Sequence, residues 1–209
     1  MDGLLIDSEP FWNESATEIF AKFNMQISPV QYATTTGLRT KEFVHWWFNQ
    51  FNIPLEHALQ AEKDIAQKVI DKVSLHGKLL PGVEYIMDFF RERKFTIGLA
   101  TSSPLELVDL VVNRFGIKQY LQAITSAEDL PLGKPHPQVY LNCAYELKAL
   151  PTNCICFEDS FNGMIAAKAA RMKCVVVPAI QQMNDKRWGA ADARIFSLHD
   201  FNELLLGDL

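Results

Sequence analysis

The amino-acid sequence predicts an α/β fold in which a helical insert interrupts a core built on a parallel sheet. From residue 77 onward, short apolar strands alternate with amphipathic helices, whereas residues 10–76 show helical periodicity and no strand pattern. Because strands that alternate with helices are joined by crossovers, the sheet is expected to be parallel and covered on both faces. The core is therefore assigned to residues 1–9 and 77–209, and the insert to residues 10–76.

The insert is predicted to contain three helices. Two apolar clusters at helical spacing mark the first two helices. They are Phe11, Trp12, Ile19, Phe20 and Phe23, and then Phe43, Trp46, Trp47 and Phe48. A polar stretch that contains glycine, SPVQYATTTGLRTKEF, is interpreted as the loop between them. The charge-rich segment LEHALQAEKDIAQKVIDKV gives the third helix, and the adjacent tryptophans are interpreted as packing inside the insert.

The core is predicted to contain five strands and the helices that connect them. The strand segments are FTIGLATSS, LQAITSA, NCICFEDS, KCVVVP and ADARIF. The helix segments are PLELVDLVVNRFG, PQVYLNCAYELK, NGMIAAKAAR and SLHDFNELL, and a further helix starts after Pro81 and Gly82. Ser197 opens the last helix with Asp200 three residues on, as in a capping box.

The composition argues against several classes of partner and location. A formal net charge of −5 without a long run of one sign indicates neither a nucleic-acid surface nor a membrane-binding face. No apolar stretch approaches about 18 residues and no secretory signal is evident, so we expect a cytoplasmic protein. Separately, a monomer is expected. The cysteines lack paired spacing and are interpreted as buried, reduced thiols. They are Cys143, Cys154, Cys156 and Cys174.

Polar side chains follow three of the predicted strands at the point where each strand ends. Thr101 and Ser102 follow the first, Lys134 lies in the loop after the second, and Glu158 and Asp159 end the third. Because parallel strands bring their carboxyl ends to one edge of a sheet, these groups are expected to lie together. A hydroxyl with free amides, an ammonium and two carboxylates can hold a phosphoryl group and Mg²⁺.

Each of these groups alone has a simpler explanation. Thr101 can cap a helix, Lys134 can be a solvated loop lysine, and the two carboxylates can favour a helix start. Their joint placement at one edge of the sheet favours a phosphate- and metal-binding site over these separate explanations. No nucleophile is evident among them, because Cys154 and Cys156 lie within a strand and no histidine accompanies a serine in a convincing triad. An aspartate that forms an aspartyl-phosphate is the remaining choice.

Four segments together resemble the haloacid dehalogenase superfamily of phosphohydrolases: MDGLLIDSEP, LATSSP, GKPHPQVY and FEDSFNGMIAAKAARM. The resemblance covers nearly the whole chain and is strongest to the sugar-phosphate phosphatases of the β-phosphoglucomutase-like branch. It implies a Rossmann-like core with residues 10–76 as a helical cap. It also implies a Mg²⁺-dependent phosphatase of small sugar or polyol phosphates, such as 2-deoxyglucose 6-phosphate.

The resemblance also implies roles for individual residues. Asp2 is the implied general acid/base, while Thr101, the amide of Ser102, and Lys134 are the implied phosphate-binding groups. The main-chain carbonyl of Asp2 is an implied Mg²⁺ ligand.

Two further residues are implied at the metal. Asp159 matches the position of a direct Mg²⁺ ligand. Glu158 matches a neighbouring position that often acts on the metal through water.

The first motif of the superfamily reads Asp-x-Asp-Gly after an apolar strand, and this chain matches only its last three positions, as Met1-Asp2-Gly3. The implied nucleophile is the residue immediately before Met1, at the end of a central strand between those ending at Thr101 and Glu158. We therefore expect the chain beginning at Met1 to be inactive, and a natural product with about ten further residues ending in Asp. The rival expectation is a catalytically silent relative that binds a phosphate ligand.

A phosphosugar mutase is the alternative enzyme, because it shares the core. The mutase branch carries a cap histidine where this chain has Trp12, and an indole cannot shuttle a proton, so hydrolysis is favoured. Arg39 stands two residues after Gly37, whereas the phosphate-gripping arginine of the mutase stands three after its glycine. Arg39 is expected either to bind the substrate's hydroxyl or phosphate, or to be a solvated loop arginine. The cap is expected to hinge near residues 7–10 and 76–81.

Overall fold

Four helices form the insert and its junction with the core, between residues 9 and 76. The computed structural model describes residues 1–209. The first helices are α1 (Glu9–Ala21), α2 (Pro29–Ala33), α3 (Thr40–Gln50) and α4 (Ala58–His76). Their buried apolar side chains, among them Phe20, Phe48 and Ile65, form a separate core, so the predicted helical character of the insert is confirmed. Trp47 packs in this core as predicted, but the prediction is wrong for Trp46, which is half exposed.

The five strands and five more helices follow α4. The strands are β1 (Ile97–Thr101), β2 (Leu121–Ser126), β3 (Ile155–Glu158), β4 (Lys173–Val176) and β5 (Ala193–Arg194). The helices are α5 (Val83–Glu92), α6 (Leu105–Arg114), α7 (Gln138–Glu146), α8 (Phe161–Ala169) and α9 (Glu203–Asp208). Each predicted strand segment contains one strand, and the α/β class with a helical insert is confirmed.

All strand pairings are parallel, but the strands form two separate sheets. β1 pairs with β2, whereas β3 pairs with β4 and β4 pairs with β5. Helix α7 packs on β1 and β2, and α8 packs on β3 and β4. Along the chain, α6 connects β1 to β2 and α8 connects β3 to β4, which gives the helical crossovers that parallel strands require.

An apolar cavity of about 220 Å³ separates the two sheets. Residues 97–100 of β1 and 155–158 of β3 line it together with Met1. Because successive side chains of a strand point to opposite faces, a cavity that touches four residues in a row borders the edge of the strand. β1 and β3 are therefore edge strands whose main-chain groups face this cavity. The central strand expected between them stays a prediction.

Two details of the helices differ from the prediction. The stretch interpreted as one loop contains α2, because the Ser28 side chain accepts a hydrogen bond from the Gln31 amide while Gln31 reaches back to the Ser28 amide. The last predicted helix is divided: Ser197 and Asp200 do form a capping box, but it encloses only a 3₁₀ turn. Asn202 then adopts extended backbone and caps α9 as a new start.

No helix combines the length and the apolar character needed to cross a bilayer. All four cysteines are free; three are buried and Cys154 is partly exposed.

Candidate active site

A small cavity lies between the helical insert and the carboxyl ends of β1 and β3. Its volume is about 80 Å³. Five sequence-predicted site residues line it: Asp2, Thr101, Ser102, Lys134 and Asp159. Local sequence explains this meeting, since four of the five follow strands and the parallel topology gathers such positions at one edge.

Two other predicted site residues, Arg39 and Glu158, do not line this cavity. Both are buried. The Arg39 side chain donates to a main-chain carbonyl of another loop, and the Glu158 side chain accepts from Lys134. The interpretation of Arg39 as a solvated loop arginine is wrong, because only 7% of its surface is exposed. Its guanidinium donates to the carbonyls of Ala127 and Leu130 and forms a 2.7 Å ion pair with Glu42.

The carboxylate of Asp2 is held by three side-chain donors. Its Oδ1 accepts from Ser8 Oγ at 2.6 Å and from Trp12 Nε1 at 2.8 Å. Its Oδ2 accepts from Ser103 Oγ. Two donors from the start of α1 and one from the loop after β1 fix the orientation of the carboxylate, as an acid/base group requires. The sequence did not indicate Ser8 and Ser103 as hydrogen-bond donors to Asp2. It indicated Trp12 only as a residue that cannot replace the proton-shuttling histidine of the mutase branch.

Thr101 and Ser102 form a compact turn after β1. The Thr101 hydroxyl donates to Ser103 Oγ at 3.0 Å and accepts from the Ser103 amide at 3.2 Å. The Ser102 hydroxyl donates to the carbonyl of Gly37 in the insert at 2.9 Å. The Ser102 amide donates to no protein acceptor, so it is free to bind an anion.

Lys134 and Glu158 form a buried ion pair of 2.5 Å beside the cavity. The Glu158 carboxylate also accepts from Tyr140 OH and from Ser160 Oγ. Burial raises the pKa of Glu158, but the Lys134 ammonium and the hydrogen bonds outweigh burial and hold the pKa at about 2. Burial lowers the pKa of Lys134, and the charge of Glu158 overcomes this and raises it. Lys134 therefore stays a cation at the cavity wall.

Burial and neighbouring carboxylates disfavour the ionised forms of two acidic side chains at the cavity, Asp159 and Glu9. Burial first, and then Glu158, raise the pKa of Asp159 to about 7. Burial, Asp159 and Asp2 raise the pKa of Glu9, another cavity residue, to about 8. Both shifts report crowded acidic groups in a site with little water. Sequence reasoning missed Glu9.

This donor set fits a hard divalent cation. Gly3 has φ +64°, and a Cβ there would lie 2.2 Å from Asp159 Oδ2, so the backbone beside Asp2 passes close to that carboxylate. The Asp2 carbonyl accepts no hydrogen bond from the protein. Side chains alone form no cluster of three metal ligands. A cation here would take carboxylate and carbonyl oxygens and keep several waters, as Mg²⁺ does.

The fold and this set of groups define an α/β enzyme that acts on phosphoric monoesters. The chain belongs to the haloacid dehalogenase-like hydrolases, whose family model matches residues 1–177. It is 42% identical to hexitol phosphatase B of Escherichia coli (strain K12) over an alignment of 212 positions that covers 100% of this chain and 93% of that protein. It is 29% identical to the fructose-1-phosphate phosphatase YqaB of the same strain, over 85% of this chain and 93% of that protein.

A solved structure shares the fold. The crystal structure of β-phosphoglucomutase from Clostridium difficile superposes with a TM-score of 0.86, covers 99% of this chain and 92% of its own, and is 20% identical. At this identity the likeness shows the fold alone, a parallel-sheet core with a helical cap.

Proposed function

We propose that this protein hydrolyses small sugar or polyol phosphates of the hexose 6-phosphate or hexitol phosphate type, with Mg²⁺ as cofactor. The observation that carries the proposal is the meeting of Asp2, Thr101, Ser102, Lys134 and Asp159 on one cavity. The full-length similarity to a hexitol phosphatase supports the substrate class. The four free cysteines support a reducing, cytoplasmic location.

In this proposal the phosphate group is bound by core residues. The Thr101 hydroxyl and the Ser102 amide donate to its oxygens, and the Lys134 ammonium balances their charge as they reorganise around phosphorus. Lys134 is already held beside the cavity by Glu158 and the Ser102 amide is free, so only the Thr101 hydroxyl, which donates to Ser103 Oγ, has to turn toward the phosphate.

Asp2 moves the proton. The carboxylate of the nucleophilic aspartate forms a bond to phosphorus while the bond between phosphorus and the sugar oxygen breaks. Asp2 gives its proton to the departing sugar oxygen. Water then attacks phosphorus, Asp2 takes a proton back, and the acyl phosphate bond breaks to release phosphate. The proposal takes the attacking carboxylate from an aspartate at the position before Met1, as the first motif of the superfamily implies.

The bound Mg²⁺ would supply positive charge beside the phosphate oxygens. Asp159 and the Asp2 carbonyl are the proposed protein ligands. Glu158 is proposed to act mainly through Lys134, because its carboxylate already accepts from Lys134, Tyr140 and Ser160.

We propose that residues 1–9 and 77–209 form the catalytic core, and residues 10–76 a mobile cap. The cavity of about 80 Å³ is smaller than the roughly 300–1,000 Å³ typical of ligand clefts. A sugar phosphate would therefore enter when the cap opens and react when it closes, because closure excludes bulk water. Residues 7–10 and 76–81, the two crossings, are the proposed hinges.

Hydrolysis is favoured over mutase chemistry by the residues that the cap brings to the cavity. They include Trp12, Tyr32 and Phe43 but no histidine. The indole N–H of Trp12 is already donated to Asp2, and an indole has no proton to exchange near neutral pH. Water is thus the expected acceptor of the phosphoryl group.

The test compares two forms of the protein. One begins at Met1, and the other, the extended form, carries an added apolar strand ending in Asp before Met1. Both are assayed for phosphate release on a panel of hexose and hexitol phosphates, with Mg²⁺ or with EDTA. The proposal expects release by the extended form with Mg²⁺ only. No release from any substrate would overturn it, isomer formation without release would indicate a mutase, and binding alone a silent relative.

A further inference from the structure

One segment of the cap contacts all three core loops that carry site residues. This docking segment, residues 36–42, precedes and begins α3. The Gly37 carbonyl accepts from Ser102 Oγ at 2.9 Å, and the Thr36 carbonyl accepts from Asn162 Nδ2 at 2.9 Å. A Cβ on Gly37, where φ is +86°, would lie 2.4 Å from Ser160 Oγ. The docking segment therefore lies directly against the loops after β1 and β3.

The third contact reaches the loop that leads to Lys134. Arg39 Nη1 donates to the carbonyls of Ala127, at 3.0 Å, and Leu130. Glu42 Oε1 accepts from the amide of Gly133, at 3.0 Å. Gly133 immediately precedes Lys134, so the cap fixes both ends of residues 127–133.

Arg39 and Glu42 act on this loop as one unit. Their side chains form an ion pair of 2.7 Å, and Arg39 is buried. A Cβ on Gly133 would lie 2.4 Å from Glu42 Oε2 and 2.7 Å from Arg39 Nε, so the loop passes in close contact with the pair. Hydrogen bonds from Arg39 and from the Gly133 amide overcome burial and lower the pKa of Glu42, which keeps the carboxylate ionised.

We infer that Arg39 and Glu42 are positioning residues that place Lys134 for reaction only when the cap is docked. When the cap opens, the carbonyls of residues 127 and 130 and the amide of residue 133 lose their partners together. Lys134 then loses the support of the loop that carries it. Cap closure and completion of the phosphate-binding set become one event, so turnover is confined to the closed, water-poor state.

The kinetic test rests on the proposed function and uses the extended form. Arg39→Ala and Glu42→Gln are expected to lower kcat roughly tenfold to a hundredfold, with a smaller change in KM, because a displacement near 1 Å can cost that much. Lys41→Ala, an exposed cation on the same segment, is the matched control. A raised KM with unchanged kcat would overturn the inference and indicate direct substrate binding.

Hydrogen exchange of the Gly133 amide tests the positioning role of Arg39 and Glu42 without any need for catalytic turnover. The Gly133 amide of the chain beginning at Met1 should exchange faster in Arg39→Ala and Glu42→Gln than in the wild type or Lys41→Ala. Thermal melts and Arg39→Lys, which keeps the charge but not the fork of donors, separate a local effect from unfolding. Unchanged exchange in both variants would overturn the inference. If exchange changes while no substrate is hydrolysed, the proposed function fails and the coupling stands.

Discussion

The indole Nε1 of Trp12 donates a 2.8 Å hydrogen bond to Oδ1 of Asp2. Trp12 belongs to α1 of the helical insert, whereas Asp2 lies in the core segment at the start of the chain. A residue of the cap thus orients the carboxylate that we propose as the acid/base. Trp12 stands where the mutase branch has a histidine that can shuttle a proton. In this protein it has a different proposed role, which is to orient Asp2.

Trp12→Phe tests this role. The variant keeps an aromatic ring but loses the donor, and a hydrogen bond to a charged group contributes about 1.5–3 kcal/mol. We expect kcat of the extended form to fall by roughly tenfold or more, with the fold retained. Trp46→Phe, at a half-exposed position of the same insert, is the control. Equal activity of the two variants would contradict the proposed role of Trp12.

The buried pair of Lys134 and Glu158 predicts a pattern of stability. Lys134→Met leaves a buried carboxylate without its cation, so the free energy of unfolding should fall by about 3–5 kcal/mol. Adding Glu158→Gln removes that charge and should restore most of the loss, while activity stays absent in both. Denaturant unfolding measures this, with the exposed Lys118→Met as control. A double variant no more stable than Lys134→Met would argue against the assignment.

The two adjacent carboxylates after β3 should respond differently to metal. Asp159→Asn removes a proposed direct ligand, so the Mg²⁺ concentration for half-maximal activity should rise roughly 10–100-fold. Glu158→Gln leaves the cavity wall in place and should change that concentration much less, while lowering kcat through Lys134. Titration of each extended-form variant with Mg²⁺ distinguishes the two effects. Equal shifts in the Mg²⁺ requirement would show that the two roles are not separate.

A pH effect on stability is expected at Asp192, far from the site. Its carboxylate pairs with Lys168 at 2.5 Å and accepts from the Cys174 amide at 2.8 Å. Burial raises the pKa of Asp192, but these partners outweigh it and hold the pKa below its usual value. Because the pKa of Asp192 is lower in the folded than in the unfolded protein, its ionised form stabilises the fold. This contribution to the free energy of unfolding is fully present above the unfolded-state pKa of about 3.9, and it is lost as the pH falls through the pKa of the folded state.

The measurement is the melting temperature of Asp192→Asn against pH. The variant should be about 1 kcal/mol less stable than wild type at neutral pH, and the difference should shrink below about pH 4. Asp208→Asn, at an exposed position of the last helix, should show no such trend. A difference that stays constant down to low pH would contradict the assignment.

Most of the fold, and four of the five site residues that line the cavity, follow from local patterning, whereas the place of Asp2 follows from the family resemblance. Thr101 ends one short apolar strand and Asp159 directly follows another, and parallel topology brings such positions to one edge. The sequence therefore predicts their approach without knowledge of any distant contact. The two-residue strand β5 and the short helix α2 lie near the limit of what periodicity can indicate.

The partners of Arg39 and Glu158 could not be predicted in the same way. The carbonyls that Arg39 contacts lie 88 to 92 positions further along the chain, and a main-chain carbonyl has no residue-specific signature. Glu158 turns toward Lys134 and Tyr140 because tertiary packing places those donors beside it. Only the folded structure brings such partners together.

The most direct test of the central claim is phosphate release by the extended form and by its Asp2→Asn variant, on a hexitol phosphate with Mg²⁺. We expect steady release by the extended form and a loss of roughly 10²–10⁴-fold in kcat for Asp2→Asn, which keeps the shape of the side chain but cannot exchange the proton. Equal rates for the two proteins would contradict the role of Asp2, and no release by either would contradict the phosphatase itself.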